Sequence, residues 1–250
     1  MRKIMMLAIV ALVSACSSQQ GQKLPRASKP VAVNVDLSRC PALAALSGGA
    51  ASRMEPVELP SRTGDPLRKF TASSKEQFAV AAQGGGVHCV DIRRMIAITG
   101  MKSHQNDRFV SFVWEGFQDR GYRSDGAILV DRAGSGSHID TGGVPVFSPS
   151  GSLVAAVHQS PTAFSALQGF AVWQVGPYAT VQVAKIEDLP EMLDWRVDRW
   201  ESETCVTLSA VPFARWNGAA ADLAALQRDH FVARRVETGW TFAPAGKSGC

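Results

Sequence analysis

The chain has 250 residues, of which 46% are hydrophobic and 19% are charged, and its mean hydropathy is close to zero. This composition is that of a folded globular domain and excludes a disordered or multiply membrane-spanning chain. The formal net charge of +4, from 26 basic and 22 acidic residues, is too even to predict nucleic-acid binding, which depends on a clustered basic face.

The first fifteen residues have the composition of a secretory signal peptide. Arg2 and Lys3 precede an uncharged apolar run over 4–15, which matches the basic and hydrophobic regions of such signals. A membrane-spanning helix needs about 20 apolar residues, and the polar residues 17–20 end this run too early. The alternatives are an ordinary secretory signal cut at small residues and a buried N-terminal helix.

The run Val13-Ser14-Ala15-Cys16 resembles the lipobox of bacterial lipoproteins, in which a branched apolar residue and two small residues precede a cysteine. The resemblance implies cleavage before Cys16, a diacylglyceryl group on its thiol and a fatty acyl chain such as palmitate on its new amine. The lipid bilayer is then a partner, since two or three acyl chains give stable anchoring. Lipoproteins that are kept at the inner membrane carry Asp directly after the lipidated cysteine. By resemblance, the chain departs from that pattern, because Ser17 stands at this position. We therefore expect the periplasmic face of the outer membrane.

These features predict three segments. They are a signal peptide at 1–15, the lipidated Cys16 with a tether reaching residue 36, and a single β-rich globular domain over 37–250. Removal of the signal takes away Arg2 and Lys3 and leaves 24 basic against 22 acidic residues. Residues 17–36 are rich in Ser, Gln, Lys and Pro without an apolar period, which is typical of a flexible linker.

Four cysteines remain once Cys16 is assigned to the lipid anchor. An even number in an oxidising compartment predicts disulfides, and none of the cysteines forms a Cys-x-x-Cys motif. Three connectivities are open. We favour Cys40 with Cys89 and Cys205 with Cys250, because each bond closes a moderate loop within one half of the chain.

Short runs rich in β-branched and aromatic residues, separated by turn signals, predict a mainly β fold. The predicted strands are 78–82, 87–91, 95–99, 108–114, 127–131, 152–158, 169–175, 180–185, 203–211, 231–236 and 240–243. The run at 108–114 is too apolar for simple alternation, so we expect a central strand there. Short helices are expected at 40–49 and 218–229.

The segment 144–175 resembles one blade of TolB-like or WD40-like β-propellers. In those families a Phe-Ser-Pro-Asp-Gly turn leads into a strand and a Val-Trp-x-Val motif closes the next strand. Here Phe147-Ser148-Pro149-Ser150-Gly151 and Val172-Trp173-Gln174-Val175 stand at those places, with Ser150 in place of Asp. A full propeller repeats its blade every 40 or so residues, and one clear copy is present. We therefore expect stacked antiparallel sheets with blade-like meanders, as a partial propeller or a sandwich.

The best candidate for chemistry is the glycine-dense segment 134–143. His138 and Asp140 would share one face of an extended segment and could form an oriented acid–base pair. The alternative is a long hairpin loop in which Asp140 satisfies the backbone and His138 is solvated. The five histidines are dispersed along the sequence, so we expect no metal or cofactor, although dispersed residues can converge in space.

Two other features have a structural and a functional interpretation. The run Gly84-Gly85-Gly86 could approach a ligand, but a tight connection between strands explains it more simply. Trp195 and Trp200, with arginines between them, could form a shelf for a glycan or peptide. Their odd spacing would place them on opposite faces of a regular strand, which favours a structural role.

The sequence favours a membrane-anchored envelope lipoprotein whose domain has a non-catalytic binding or scaffold role, with an envelope protein or glycan as partner. One alternative is a periplasm-facing hydrolase that uses the 134–143 loop. Another is a receptor for small molecules or glycans.

Overall fold

The computed structural model describes residues 35–43, 66–119, 122–159, 167–216, 220–246 and 250, all within the compact unit Ala32–Cys250. Strands take up 57% of these residues, so the predicted β class is confirmed. The predicted signal peptide, Cys16, nearly all of the tether and most of the predicted helix at 40–49 lie outside the described residues.

The strands form four antiparallel sheets that follow one another along the chain, and hydrogen-bonded neighbours within each sheet are consecutive in sequence. Sheet 1 contains β1 (Thr71–Ser73), β2 (Gln77–Ala81) and β3 (Val87–Asp91). Sheet 2 contains β4 (Met95–His104), β5 (Phe109–Asp119), β6 (Tyr122–Asp131) and β7 (Ser137–Asp140). Sheet 3 contains β8 (Val146–Phe147), β9 (Leu153–His158), β10 (Gly169–Val175) and β11 (Thr180–Ile186). Sheet 4 contains β12 (Met192–Ser202), β13 (Cys205–Pro212), β14 (Asp229–Val236) and β15 (Gly239–Pro244).

Three hydrophobic clusters join each sheet to the next one. Because successive side chains of a strand point to opposite faces, β5 directs Val110 and Phe112 toward the cluster shared with sheet 1. It directs Phe109 toward the cluster shared with sheet 3. In β9, Val154 contributes to that same cluster and Leu153 to the cluster shared with sheet 4. Both faces of sheets 2 and 3 are therefore covered, which accounts for the unbroken apolar run predicted to be a central strand.

Hairpin turns of neighbouring sheets are also hydrogen-bonded to each other. The Gln105 amide of the β4–β5 turn donates to the Gly151 carbonyl of the β8–β9 turn at 2.7 Å. Glu203, between β12 and β13, accepts from the Ser150 N–H at 2.8 Å and from the Ser152 hydroxyl at 3.1 Å. These hydrogen bonds join sheet 2 to sheet 3 and sheet 3 to sheet 4. The sheets are therefore held together by their turns as well as by their hydrophobic clusters.

The predicted turn at 148–151 is present, and Gly151 N–H donates to the Ser148 carbonyl at 2.8 Å. Gly151 has a φ of +73°, a left-handed conformation in which glycine carries no steric penalty. Ser150 Oγ accepts from the Ser152 N–H at 3.1 Å. The serine hydroxyl therefore provides a side-chain acceptor for this turn.

The helices of the described residues are short 3₁₀ turns at Leu37–Arg39, Pro66–Lys69, Phe213–Arg215 and Ala220–Ala225. Within the described part of the predicted helix at 218–229, the helical residues are Ala220–Ala225, as a 3₁₀ turn. Asp229, predicted to end this helix, is instead the first residue of β14 and pairs with Ala210 of β13. Sheet pairing outweighs the local preference of this alanine-rich segment.

Both disulfides join the cysteines that the sequence analysis favoured. Cys40 is bonded to Cys89 of β3, and Cys205 of β13 is bonded to Cys250. The first ties the segment before sheet 1 to the outermost strand of that sheet. The second ties the last residue to sheet 4, so the two ends of the stack are each closed covalently.

Candidate functional site

The glycine-dense segment 134–143 contains the β6–β7 turn and strand β7. Gly136 has a φ of +85°, and a Cβ at this position would lie 2.7 Å from the Cβ of His88. A Cβ on Gly143 would collide with the Val157 carbonyl oxygen. These glycines are needed because neighbouring sheets approach each other closely here.

His138 contacts His88 rather than Asp140. His88 Nε2 and His138 Nδ1 lie 2.8 Å apart, and one of the two nitrogens carries the shared proton. His88 lies on β3 and His138 on β7, so the pair joins the outermost strands of sheets 1 and 2. The ring of His138 is exposed, and that of His88 is half-buried.

The environment of the pair favours neutral imidazoles. Burial lowers the pKa of His88, and the neighbouring His138 lowers it further. Although His138 is exposed, the packing around part of its ring removes water and lowers its pKa. The negative charge of Asp140 partly opposes that shift. At neutral pH the two rings therefore meet as neutral groups, each with a lone pair available on at least one nitrogen.

Asp140 follows His138 by two residues in β7, as predicted for an extended segment. Its Oδ1 accepts a hydrogen bond from the Gly142 N–H at 3.1 Å, which is the backbone-satisfying role that turn chemistry gives to aspartate. His138 and Asp140 thus lie on one strand, as predicted. The 2.8 Å contact of His138, however, is with His88 on sheet 1. Sequence reasoning did not identify His88, because it lies 50 residues away and no motif marks it.

The other three histidines are separate from this pair. His104 Nε2 lies 2.8 Å from the Ser111 hydroxyl, and burial, followed by the charge of Lys102, lowers its pKa to about 4. Burial also lowers the pKa of His158. His230 is 66% exposed, with Nδ1 3.7 Å from an oxygen of Asp198.

The glycine run 84–86 forms the predicted tight connection, here between β2 and β3. Gly84 N–H donates to the Gly134 carbonyl at 2.9 Å, and a Cβ on Gly84 would collide with that carbonyl oxygen. The run lets the turn of sheet 1 rest on the β6–β7 turn of sheet 2.

Trp195 and Trp200 are 7% and 8% exposed, and both belong to the core between sheets 3 and 4. Trp195 Nε1 donates to the Gln159 side-chain oxygen at 2.9 Å, and Trp200 Nε1 donates to the Val146 carbonyl at 2.9 Å. One register shift of β12 lies between the two tryptophans, at Val197/Arg199, and inserts one extra residue relative to β13. This extra residue brings tryptophans of odd spacing into the same core, so the pair offers no exposed shelf.

Two polar networks, the first buried and the second partly exposed, were not identified from sequence. Asp131, 1% exposed, accepts from Arg108 at 3.0 and 2.9 Å, from Thr180 at 2.8 Å and from the Ala133 N–H at 3.0 Å. Its neighbour Arg132 donates to the carbonyls of Ala81 and Asp107. This first network connects sheets 1, 2 and 3.

The second network lies on sheet 4. Arg228 donates to Asp194 Oδ2 at 2.7 Å and to Ser209 Oγ at 2.9 Å. The Ser209 hydroxyl donates to Asp198 at 2.7 Å. Ser209, Asp198 and His230 are the residue types of a hydrolase triad. Here the buried serine bonds the carboxylate directly, so the wiring is that of a structural network.

Within the described part of the chain, no three His, Cys, Asp or Glu side chains form a group able to hold a metal ion. No helix among those residues is long and apolar enough to cross a membrane. Comparisons with protein-family models, with curated proteins and with solved structures found no match to this chain.

Proposed function

We propose that this chain is a bacterial envelope lipoprotein, anchored by lipids on Cys16, whose β domain has a non-catalytic binding or scaffold role. The observation that carries the anchor is the lipobox-like run ending at Cys16, placed directly after a basic and apolar N-terminal segment.

The disulfides support this proposal in two ways. Disulfides persist in oxidising compartments such as the periplasm and are rare in the cytosol. The four cysteines beyond Cys16 bond to one another. Cys16 is therefore the odd cysteine of the chain, and its thiol is left for another reaction.

The segment between Cys16 and the domain is suited to act as a tether. We propose that residues 17–36 serve as this tether, and a flexible linker of about 20 residues has an end-to-end distance of about 25 Å. Such a length holds the domain near the lipid surface and leaves it free to reach a partner in the envelope.

The non-catalytic role is supported by what the candidate catalytic residues contact. Asp140 satisfies the Gly142 N–H, His138 bonds His88, and Ser209 is buried against Asp198. The polar groups that could have formed a nucleophile and its base are engaged with other partners. We propose that the domain acts by binding another envelope component, a protein or a glycan.

The anchor is tested by growing cells with a palmitate analogue that can be labelled. The full chain is expected to incorporate it, and Cys16→Ser is expected to lose the label and to stay in the soluble envelope fraction. Ser17→Ala is the matched control, because it changes a neighbour of the anchor without removing the thiol. Labelling that persists in Cys16→Ser would contradict the proposal.

The outer-membrane destination is tested by separating the two membranes. The wild-type chain is expected in the outer-membrane fraction, and Ser17→Asp is expected to move it toward the inner membrane. An unchanged inner-membrane location for both would contradict this part of the proposal and leave the lipid anchor intact.

The binding role is tested by crosslinking in intact cells. A photoreactive residue at Tyr178, whose side chain is 81% exposed, samples contacts without disturbing the core. We expect one specific envelope protein or glycan to be captured by the lipidated chain and less of it by Cys16→Ser. Turnover of hydrolase substrates by the purified chain, abolished by His138→Ala, would overturn the non-catalytic role.

A further inference from the structure

The contact between His88 and His138 is the place in the described domain where two titratable side chains of different sheets meet at the surface. The strands that carry them are sheet edges, and the side-chain nitrogens are 2.8 Å apart. Gly136 lets the β6–β7 turn approach His88 closely, since a Cβ there would lie 2.7 Å from the Cβ of His88. The arrangement depends on the stacking of sheets 1 and 2, so it exists only in the folded domain.

Two neutral imidazole nitrogens at this distance have two uses. They can share one proton as a hydrogen bond, or both can offer a lone pair to a cation. Imidazole is a preferred ligand of zinc, copper and nickel. With metal–nitrogen bonds of about 2.0 Å, two imidazoles on one ion place their nitrogens about 3 Å apart. The observed separation matches this spacing, and the rings must turn so that both lone pairs point at one ion.

The surroundings also suit a cation. Asp140 lies two residues from His138 on β7, and its negative charge acts on that ring. His138 is exposed, so an ion can enter from solvent. No third His, Cys, Asp or Glu of the described residues completes a group with the pair. The remaining coordination positions would belong to water or to a small ligand.

We propose that His88 and His138 form a two-nitrogen binding site for a divalent transition metal ion, with Cu²⁺ bound most tightly. Affinities of nitrogen sites for divalent ions rise toward copper along the first transition series. A site with two protein ligands and open positions exchanges its ion, unlike a closed structural site. The proposal is independent of the lipid anchor.

The test is a titration of the full chain in detergent with Cu²⁺, followed by electron paramagnetic resonance and calorimetry. We expect one equivalent to bind with nitrogen couplings in the spectrum, and Zn²⁺ to compete more weakly. His88→Ala and His138→Ala are each expected to weaken binding by about tenfold or more. His230→Ala, which removes an exposed histidine of sheet 4, is expected to leave this equivalent unchanged.

A purely structural hydrogen bond is distinguished by His138→Gln. Its amide can still bond His88 and hold the two sheets together, but it is a poor ligand for copper. We expect this variant to keep the wild-type circular dichroism and melting temperature while losing the tight equivalent. Cu²⁺ binding that survives both His88→Ala and His138→Gln, or no binding of Cu²⁺ at 100-fold molar excess, would overturn the proposal.

Discussion

Asp131 is a buried carboxylate that accepts four hydrogen bonds. Its carboxylate receives hydrogen bonds from Arg108, Thr180 and the backbone at Ala133. Asp131→Asn keeps the shape but points an NH₂ group at donors and removes the charge opposite Arg108. We expect a loss of about 2–4 kcal/mol in the free energy of unfolding, because a buried ion pair loses one partner. Urea unfolding measures this loss.

The matched control is Asp91→Asn. Asp91 also pairs with an arginine, Arg93, at 2.7 Å, but its side chain is 41% exposed. Exposed pairs contribute less than about 1 kcal/mol. Equal losses in the free energy of unfolding for the two substitutions would show that burial does not account for the contribution of Asp131 to stability.

His104 is expected to make stability depend on pH. Its pKa is lowered to about 4, first by burial and then by Lys102, whereas in the unfolded chain it is about 6.5. The native state therefore binds fewer protons than the unfolded state between these values. The free energy of unfolding therefore keeps the full contribution of neutral His104 above about pH 6.5. It declines as the pH falls from there toward 4, by at most about 1.4 kcal/mol per pH unit.

Unfolding by urea at pH 7.5, 5.5 and 4.5 measures this dependence. His104→Gln, which cannot take up a proton, is expected to flatten the decline relative to the wild-type chain. The two proteins differ at this residue alone, so the difference in slope isolates His104. An unchanged slope in His104→Gln would refute the assignment.

At the scale of elements, the turn of sheet 1 rests on the turn of sheet 2 through a backbone hydrogen bond from Gly84 N–H to the Gly134 carbonyl. Gly84→Ala would force its new methyl group against the Gly134 carbonyl. We expect a loss of about 1–3 kcal/mol in the free energy of unfolding, which is the usual cost of inserting a methyl group into a close contact. Gly100→Ala in β4, where a Cβ meets no atom within 4 Å, is the control and is expected to change stability by less than about 1 kcal/mol.

The strands could be predicted wherever a β-branched or aromatic run is long enough to fill a core. The predicted ranges 87–91 and 169–175 coincide with β3 and β10. Strands β7 and β8 were missed as strands because they have four and two residues and lie among Gly, Ser and Pro. Their pairing comes from neighbouring strands and not from their own composition.

The irregular features escaped sequence reasoning for a different reason. The odd spacing of Trp195 and Trp200 predicts opposite faces for a regular strand, and the register shift of β12 at Val197/Arg199 cancels that rule. Asp194, with a φ of +50°, lies in another register shift of this strand, between Leu193 and Arg196. Such features depend on tertiary packing, which a local pattern does not contain.

The candidate site shows the same limit. The sequence placed His138 and Asp140 on one extended segment, and β7 does contain both. The partner of His138 could not be predicted, because β3 and β7 become neighbours only when sheets 1 and 2 stack. The glycines at 136 and 143 were interpreted as turn chemistry, but they also permit the close approach of neighbouring sheets.

At the scale of the whole molecule, the described domain is a linear series of cores. Clusters join sheet 1 to sheet 2, sheet 2 to sheet 3 and sheet 3 to sheet 4. Sheets 2 and 3 are covered on both faces, whereas these clusters give sheets 1 and 4 one neighbour each. The disulfides lie on those two sheets, at Cys89 and at Cys205. The covalent links therefore reinforce the sheets that the hydrophobic clusters support least.

The two disulfides are expected to stabilise the domain independently. They close loops with sequence separations of 49 and 45 residues, which corresponds to about 4 kcal/mol each on the chain-entropy model. The pair of substitutions Cys40→Ser and Cys89→Ser, and the corresponding pair at Cys205 and Cys250, are each expected to lower the free energy of unfolding by that amount. Because the bonds lie on sheets 1 and 4, the losses should add to within about 0.5 kcal/mol in the chain that lacks both.

Urea unfolding of the four chains, with and without a reducing agent, measures this independence. Reduction should bring the wild-type chain to the stability of the chain without either bond, and it should leave that chain unchanged. A combined loss that differs from the sum by more than about 1 kcal/mol would mean that the outer sheets are coupled through sheets 2 and 3. Additivity in a single transition would instead indicate that each bond stabilises its own end without an interaction between them.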